Sequence, residues 1–265
     1  AATMVTAGIV LINRTILYNS NLWDYILYIG IITIIFGGLV GIVQNDIKKI
    51  IAYSTCSQLG YMYLISIYNN VPNELSLYHL YTHGFFKALL FLGAGIIIHN
   101  NNNEQDIRRL NLNINNNKYS YLFLLFSTLS LIAIPYTSGY YSKELIIYNI
   151  DNNELFVLSL IGAILTTLYS LKLLYNSYFI NSTLYNNYIE ELPKNLIYIL
   201  SILLSGSIYL GYNIYNLAIG EIIESLDTNH IQLSYLPIYI LLFSFLLFIL
   251  SIYYKPINWY YNLLY

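Results

Sequence analysis

A chain of 265 residues that is 57% hydrophobic and only 9% charged, with a mean hydropathy of +0.57, has too little polar surface to cover a water-soluble globule. Its eleven Lys and Arg are scattered and the net charge is −2, which excludes the basic face of a nucleic-acid-binding protein and leaves lipid as the natural surroundings. The single cysteine, Cys56, can form no intrachain disulfide, and its apolar setting predicts a small buried packing residue.

Along the chain, Ala1 to Ile12 is half a span ending at Asn13 and Arg14, too short to cross a bilayer alone, so the chain reads as truncated at its start. It shows neither a cleavable signal nor an Arg- and Ser-rich transit segment. Leu22 to Val43 is a full apolar span. The short polar step Gln44-Asn45-Asp46 then predicts a tight hairpin into a second span, Ile47 to Tyr68. Glu74 to His99 is a third, carrying His79, His83 and Lys87, and the polar loop Asn100 to Lys118 follows it. Tyr121 to Ile150 is apolar but interrupted by Pro135, Thr137, Ser138 and Gly139, which predicts a broken helix with unpaired carbonyls.

Leu155 to Ile180, Leu196 to Tyr215 and Leu236 to Tyr254 give three more spans. Leu217 to Leu233, with Glu221, Glu224, Asp227 and His230, is too polar to cross, while Trp259, Tyr260 and Tyr261 suit an interfacial aromatic belt. The expected fold is an all-α polytopic transmembrane helix bundle of about seven full spans plus a partial N-terminal one, with one broken helix. Counting spans puts Lys48 and Lys49 on the same side as Arg108 and Arg109, the matrix or cytoplasmic side by the positive-inside rule. Thirty-one tyrosines and runs such as Asn100 to Asn103 suggest an A/T-biased genome, an organelle's for example.

The chemistry concentrates in His79, His83 and Lys87, which repeat every four residues and so form one polar stripe on a helix, about 12 Å long at the usual helical rise. Lys87 lies too deep in its span to snorkel easily, and a charge there costs roughly 3 kcal/mol or more, so its ammonium needs partners. The stripe reads as a proton relay; the alternative is an ion pair that merely locks two helices. Lys143 and Glu144 follow the interrupted stretch, either as a lysine beside an ion path with a carboxylate partner or as a charged pair at a helix end. Ser54, Thr55, Ser57 and Gln58 suit helix packing, or line a hydrated channel. Lys48 and Lys49 read as snorkelling anchors, and Lys172 as a near-end anchor beside Asn176 and Ser177 rather than a relay member. No phosphate loop, metal-ligand spacing or dinucleotide fingerprint is present, so redox chemistry is not expected in this chain and no metal site is expected either.

The string Gln44-Asn45-Asp46-Ile47-Lys48-Lys49-Ile50-Ile51-Ala52-Tyr53-Ser54-Thr55-Cys56-Ser57-Gln58-Leu59-Gly60-Tyr61-Met62 closely resembles the antiporter-like subunits of respiratory complex I, which are related to Mrp-type Na⁺/H⁺ antiporters. Thr82-His83-Gly84-Phe85-Phe86-Lys87, Asn103-Glu104-Gln105-Asp106-Ile107-Arg108-Arg109 and Gly139-Tyr140-Tyr141-Ser142-Lys143-Glu144 point to the subunit 5 branch, C-terminal half. The resemblance implies a proton-translocating membrane subunit in which Lys87 is the central proton carrier, His79 and His83 belong to its hydrated axis, and Lys143 lies towards the exit. It implies a proton-channel region over 1–149 and additional transmembrane helices over 150–265. FMN, Fe–S clusters and quinone are expected in partner subunits and no cofactor in this chain. Expected partners are the other membrane subunits of the complex, lipids, and a separate polypeptide from a split gene supplying the upstream half. The long lateral helix typical of subunit 5 has no counterpart before Tyr265. The mitochondrial inner membrane is the implied location. The rival readings are an Mrp-type antiporter subunit and a membrane scaffold that does not transport.

Overall fold

The computed structural model describes residues 2–15, 23–67, 74–109, 118–150, 152–178, 193–215 and 236–253. Expectations for Leu217 to Leu233 and for Trp259 to Tyr261 lie outside the described residues. The helices are α1 (Ala2–Thr15), α2 (Trp23–Val43), α3 (Ile47–Ile67), α4 (Glu74–Asn100) and α5 (Lys118–Ile132). They continue with α6 (Ser138–Tyr148), α7 (Asn153–Tyr178), α8 (Lys194–Ile214) and α9 (Leu236–Tyr253). The chain is an all-α polytopic membrane bundle. Four helices, α2, α4, α7 and α8, are both long and apolar enough to cross a membrane. α3 has 21 residues, about 31 Å of helix, but a more polar composition, and α5 and α6 in series make the interrupted crossing.

α2 and α3 form the expected hairpin, and α4 packs against α1, α3, α5, α6 and α8 at the centre of the bundle. One apolar cluster joins α3, α4, α5 and α7 through Ile51, Phe86, Leu90, Leu124 and Tyr169. A second joins α2, α3, α6 and α7 through Ile34, Tyr61, Ile146 and Ala163. Outward faces stay apolar: Ile29, Ile32 and Phe36 on α2, Tyr198, Ile202 and Tyr209 on α8, Leu242, Phe243 and Leu246 on α9 are exposed. That pattern suits hydrocarbon or neighbouring subunits, where apolar side chains need no burial in their own chain.

The break after α5 lies where Pro135 predicts it, and its backbone explains itself. The N–H of Ala133 bonds to Ser130 O at 3.2 Å and that of Ile134 to Leu129 O at 3.2 Å. This is a Schellman stop, with Ala133 in the left-handed position at φ 71°. Tyr136 is also left-handed, at φ 70°, so two residues with side chains occupy a region that disfavours them, a cost of order 1–3 kcal/mol each. α6 restarts so close to α5 that a Cβ on Gly139 would collide with Ser130 O. Gly211 on α8 is equally constrained, since its Cβ would lie 2.5 Å from Ser138 Cα. Glycines at these two positions let three helices meet at the break.

The two basic segments share a side, as span counting predicts. Ile47 N–H donates to Gln105 O at 3.0 Å and Ile107 N–H to Asn45 O at 2.9 Å, with Asp46 and Asp106 opposed in an antiparallel bridge. Lys49 pairs with Asp46 at 2.9 Å and is exposed, in keeping with an interfacial anchor. Lys172 is an anchor too, but of a different kind from the one expected. Its Nζ donates to Ile42 O at 2.6 Å, Gln44 O at 2.8 Å and Asn45 Oδ1 at 3.3 Å, capping the carbonyl end of α2 from α7. Cys56 corrects the sequence reading, for it is exposed rather than buried. The buried face of α3 runs through Ser54, Ser57, Gln58 and Tyr61, and helical rotation turns position 56 away from it.

Candidate functional site

His79, His83 and Lys87 lie on one buried face of α4, with 1%, 5% and 2% of their surface exposed. α4 forms here because Glu74 to Asn100 is a predominantly apolar run without proline, and the four-residue spacing keeps its titratable groups in register. The imidazole centroids of His79 and His83 are 6.2 Å apart. His83 meets the ring of Phe86 edge-on at 5.2 Å, and its Nε2 is buried without a hydrogen-bond partner.

Facing this stripe is the polar patch of α3, whose residues recur every three or four positions. Lys87 Nζ donates to Ser54 Oγ and stands 5.7 Å from the ring centroid of Phe91. His79 Nε2 is 3.1 Å from Gln58 Oε1. Ser57 Oγ and the Tyr169 hydroxyl of α7 are 3.3 Å apart. The patch therefore packs helices together by binding the titratable groups themselves. No carboxylate lies within ion-pair distance of Lys87 among the described residues, so the locking ion pair is not the arrangement found.

The discontinuous helix supplies the second lysine. Lys143 is 2% exposed, donates to Thr166 Oγ1 at 2.8 Å and stands 5.4 Å from the ring centroid of Tyr61. Glu144, read from sequence as a possible partner, makes no ion pair with Lys143; it bonds the Tyr140 hydroxyl instead, and its Oε1 is buried and unpartnered. Lys143 and Glu144 both line a cavity of about 160 Å³ walled by Ile132, Ala133, Phe156, Ala163 and Leu241. With two titratable side chains and an orphaned oxygen on its wall, and far more room than the roughly 10–15 Å³ that one water needs, such a cavity suits a small water cluster.

His79, on the helix that carries Lys87, bonds the helix that carries Lys143. Its Nδ1 is 2.9 Å from Ser142 Oγ, one residue before Lys143, and Thr82 Oγ1 donates to the same Ser142 oxygen at 2.9 Å. The sequence therefore located His79, His83, Lys87 and Lys143 and the patch opposite them. It missed Thr166, Tyr61 and Tyr169, which are one Thr and two tyrosines among many and carry no local signal. Thr166 and Tyr169 lie on α7, beyond the division expected at residue 149. Groups that could bind a metal are absent among the described residues.

A family model described as NADH:quinone oxidoreductase/Mrp antiporter, transmembrane, matches residues 1–169. NADH-ubiquinone oxidoreductase chain 5 of Trichophyton rubrum is 41% identical over 235 residues, which cover 83% of this chain and 35% of that protein. The chain 5 proteins of Dictyostelium citrinum and Podospora anserina are each 40% identical over 83% of this chain, covering 34% and 36% of their own lengths. The chain thus spans about a third of the length of the curated relatives it matches. In fold it is similar to a chain of the membrane-bound sulfane sulfur reductase, an archaeal respiratory membrane complex, with a TM-score of 0.70 at 18% identity over 88% of this chain and 49% of that one. The family model matches more than half of the chain, and the chain belongs to the NADH:quinone oxidoreductase/Mrp antiporter transmembrane family.

Proposed function

We propose that this chain is a proton-translocating part of subunit 5 of NADH:ubiquinone oxidoreductase in the mitochondrial inner membrane. The observation that carries the reading is a pair of buried lysines, Lys87 and Lys143, held by hydroxyl groups instead of carboxylates, with His79 bonded between their two helices. A lysine held by a neutral acceptor gives up its proton without leaving an unpaired buried carboxylate behind, whereas an ion-paired lysine does not. Water beside Lys143 supplies the acceptor on one side, and the histidines connect it to Lys87.

In this reading the redox steps with FMN, Fe–S clusters and quinone belong to partner subunits, and their energy reaches this chain through the membrane arm. The region to residue 149 carries the titratable groups, while α7 lends them hydroxyls. The basic segments around Lys48 and Arg108 face the matrix. The upstream half of the family's subunit, carried on this reading by a separate polypeptide, packs against α1; immunocapture of the complex followed by mass spectrometry of its membrane chains tests that point.

The deciding experiment measures protons moved per NADH oxidised in membranes whose complex carries Lys87→Ala, with assembly checked on a native gel. A correctly assembled complex that has lost coupled pumping supports the relay. Unchanged pumping makes the chain a scaffold. Because the family also includes Mrp antiporters, the same membranes should be assayed with and without sodium. Transport that requires sodium would replace the proton reading by Na⁺/H⁺ exchange.

A further inference from the structure

We infer that Thr166 is a positioning residue for Lys143, holding Nζ through an oxygen that accepts from the ammonium and from the neutral amine alike, so that gain or loss of a proton does not release the side chain. The inference rests on the proposal above that Lys143 carries protons, and it adds what keeps the lysine in place while it does so.

A lysine stem is flexible, and a buried lysine held only by an ion pair loses its hold when it loses its charge. Thr166 holds Lys143 differently. Nζ donates to Thr166 Oγ1 at 2.8 Å, and Thr166 is fully buried. The Thr166 hydroxyl hydrogen is committed to Ala163 O of the same helix at 2.7 Å, which leaves the oxygen as an acceptor towards Lys143. An ammonium donates through three N–H groups and an amine through two, so both forms keep this bond.

The other sides of Nζ indicate where the labile proton goes. Nζ stands over the Tyr61 ring, 5.4 Å from its centroid, and the ring is fixed by a hydroxyl that donates to Ser159 O at 2.8 Å. Gly162 makes room for that hydroxyl, since a Cβ there would come within 2.7 Å of its oxygen. Ser159, Gly162 and Thr166 follow one another at three- and four-residue steps on α7 and so share one face. A ring face attracts a cation but takes no proton from it. The side that remains is the cavity that Lys143 lines together with Glu144. The ammonium passes its proton there to water, leaving amine and hydronium, and a hydronium ion that returns the proton leaves water and ammonium. With Thr166 and Tyr61 occupying the other directions, the lone pair of the amine faces the cavity, ready for the next proton.

Coupled proton pumping in membranes containing the assembled complex tests the inference. Thr166→Val keeps the shape of the side chain and removes only the oxygen, so pumping falls by up to about tenfold, the loss expected of Lys143→Ala. Thr166→Ser keeps the oxygen, loses a methyl group and retains most of the pumping. A packing role predicts the reverse order, since Thr166→Val fills the site and Thr166→Ser leaves a void. Wild-type pumping in Thr166→Val, or equal losses in the two variants, overturns the inference. Should Thr166→Val prevent assembly, the Lys143→Ala background decides, because there no ammonium needs the oxygen. A residue that acts only through Lys143 adds no loss in that background, so the double variant pumps as Lys143→Ala does, and a further fall overturns the inference. Lys143→Ala by itself separates the two levels of argument. Full pumping in it takes Lys143 out of the path and sinks the underlying reading, whereas a loss there beside wild-type pumping in Thr166→Val sinks only the role of Thr166.

Discussion

Lys87 and Lys143 have the same chemistry and the same near-complete burial, yet the backbone around them differs. Lys87 sits on a continuous helix, bonded to Ser54, with packed apolar residues Phe86, Leu90 and Phe91 beside it. Lys143 follows a break with two left-handed residues and opens onto a cavity of about 160 Å³. The difference teaches that an intact helix isolates a buried charge, because every backbone group is already satisfied and attracts no water. An interrupted helix does the opposite, since its freed carbonyls and amides need polar company and hold space open for it.

The largest effect expected from this contrast comes from exchanging each lysine for alanine. If Lys87 is the carrier that the proposed function makes it, Lys87→Ala leaves a packed site that water does not reach, and coupled pumping should fall by about 100-fold or more. Lys143→Ala enlarges a cavity where water can stand in, and the loss should be smaller, on the order of tenfold. Pumping assays on assembled complexes check the order, and equal losses would remove the distinction between the two sites.

Filling the cavity sharpens the point without touching a titratable group. Ala163→Phe introduces a ring into the wall of the cavity that Lys143 also lines and should exclude water from it, lowering pumping while costing about 1–3 kcal/mol of stability from overpacking. If Ala163→Phe pumps normally, the cavity is not part of the path.

The smallest effect lies at the interface, where Asp106 joins the 101–109 segment to the start of α3. Burial pushes the Asp106 carboxyl up, but the Arg108 side chain, bonded to it at 2.7 Å and 3.0 Å, and the Arg108 backbone N–H hold it below its ordinary value of 3.8. A lowered carboxylate stabilises the folded chain at pH above that ordinary value and ceases to do so as pH falls through the lower one. With the pair partly exposed the contribution is under about 1 kcal/mol. Asp106→Asn should therefore lower thermal stability slightly at neutral pH and abolish this group's share of the stability loss on acidification below its ordinary value of 3.8. An unchanged acid profile in Asp106→Asn would assign the junction to its backbone bonds alone.

The spacing of His79, His83 and Lys87 and the position of Pro135 were legible from the chain because both effects are local. A four-residue repeat is one face of a helix wherever that helix lies, and proline removes a helical hydrogen bond whatever surrounds it. Span counting likewise brought Lys48 and Arg108 to one side. The sequence did not show that Thr166 binds Lys143, that Gln58 meets His79, that Lys172 caps α2, or that Cys56 faces outward. Each of these depends on how a helix is rotated about its own axis, and helices apolar nearly all round carry little periodicity to specify that rotation. The sequence by itself determined an all-α membrane bundle, its broken crossing and the groups able to hold a proton. Only the tertiary structure decided which neutral hydroxyls and amides surround those groups, because helix packing at Gly139, Gly211 and the α2–α3 hairpin sets which faces meet.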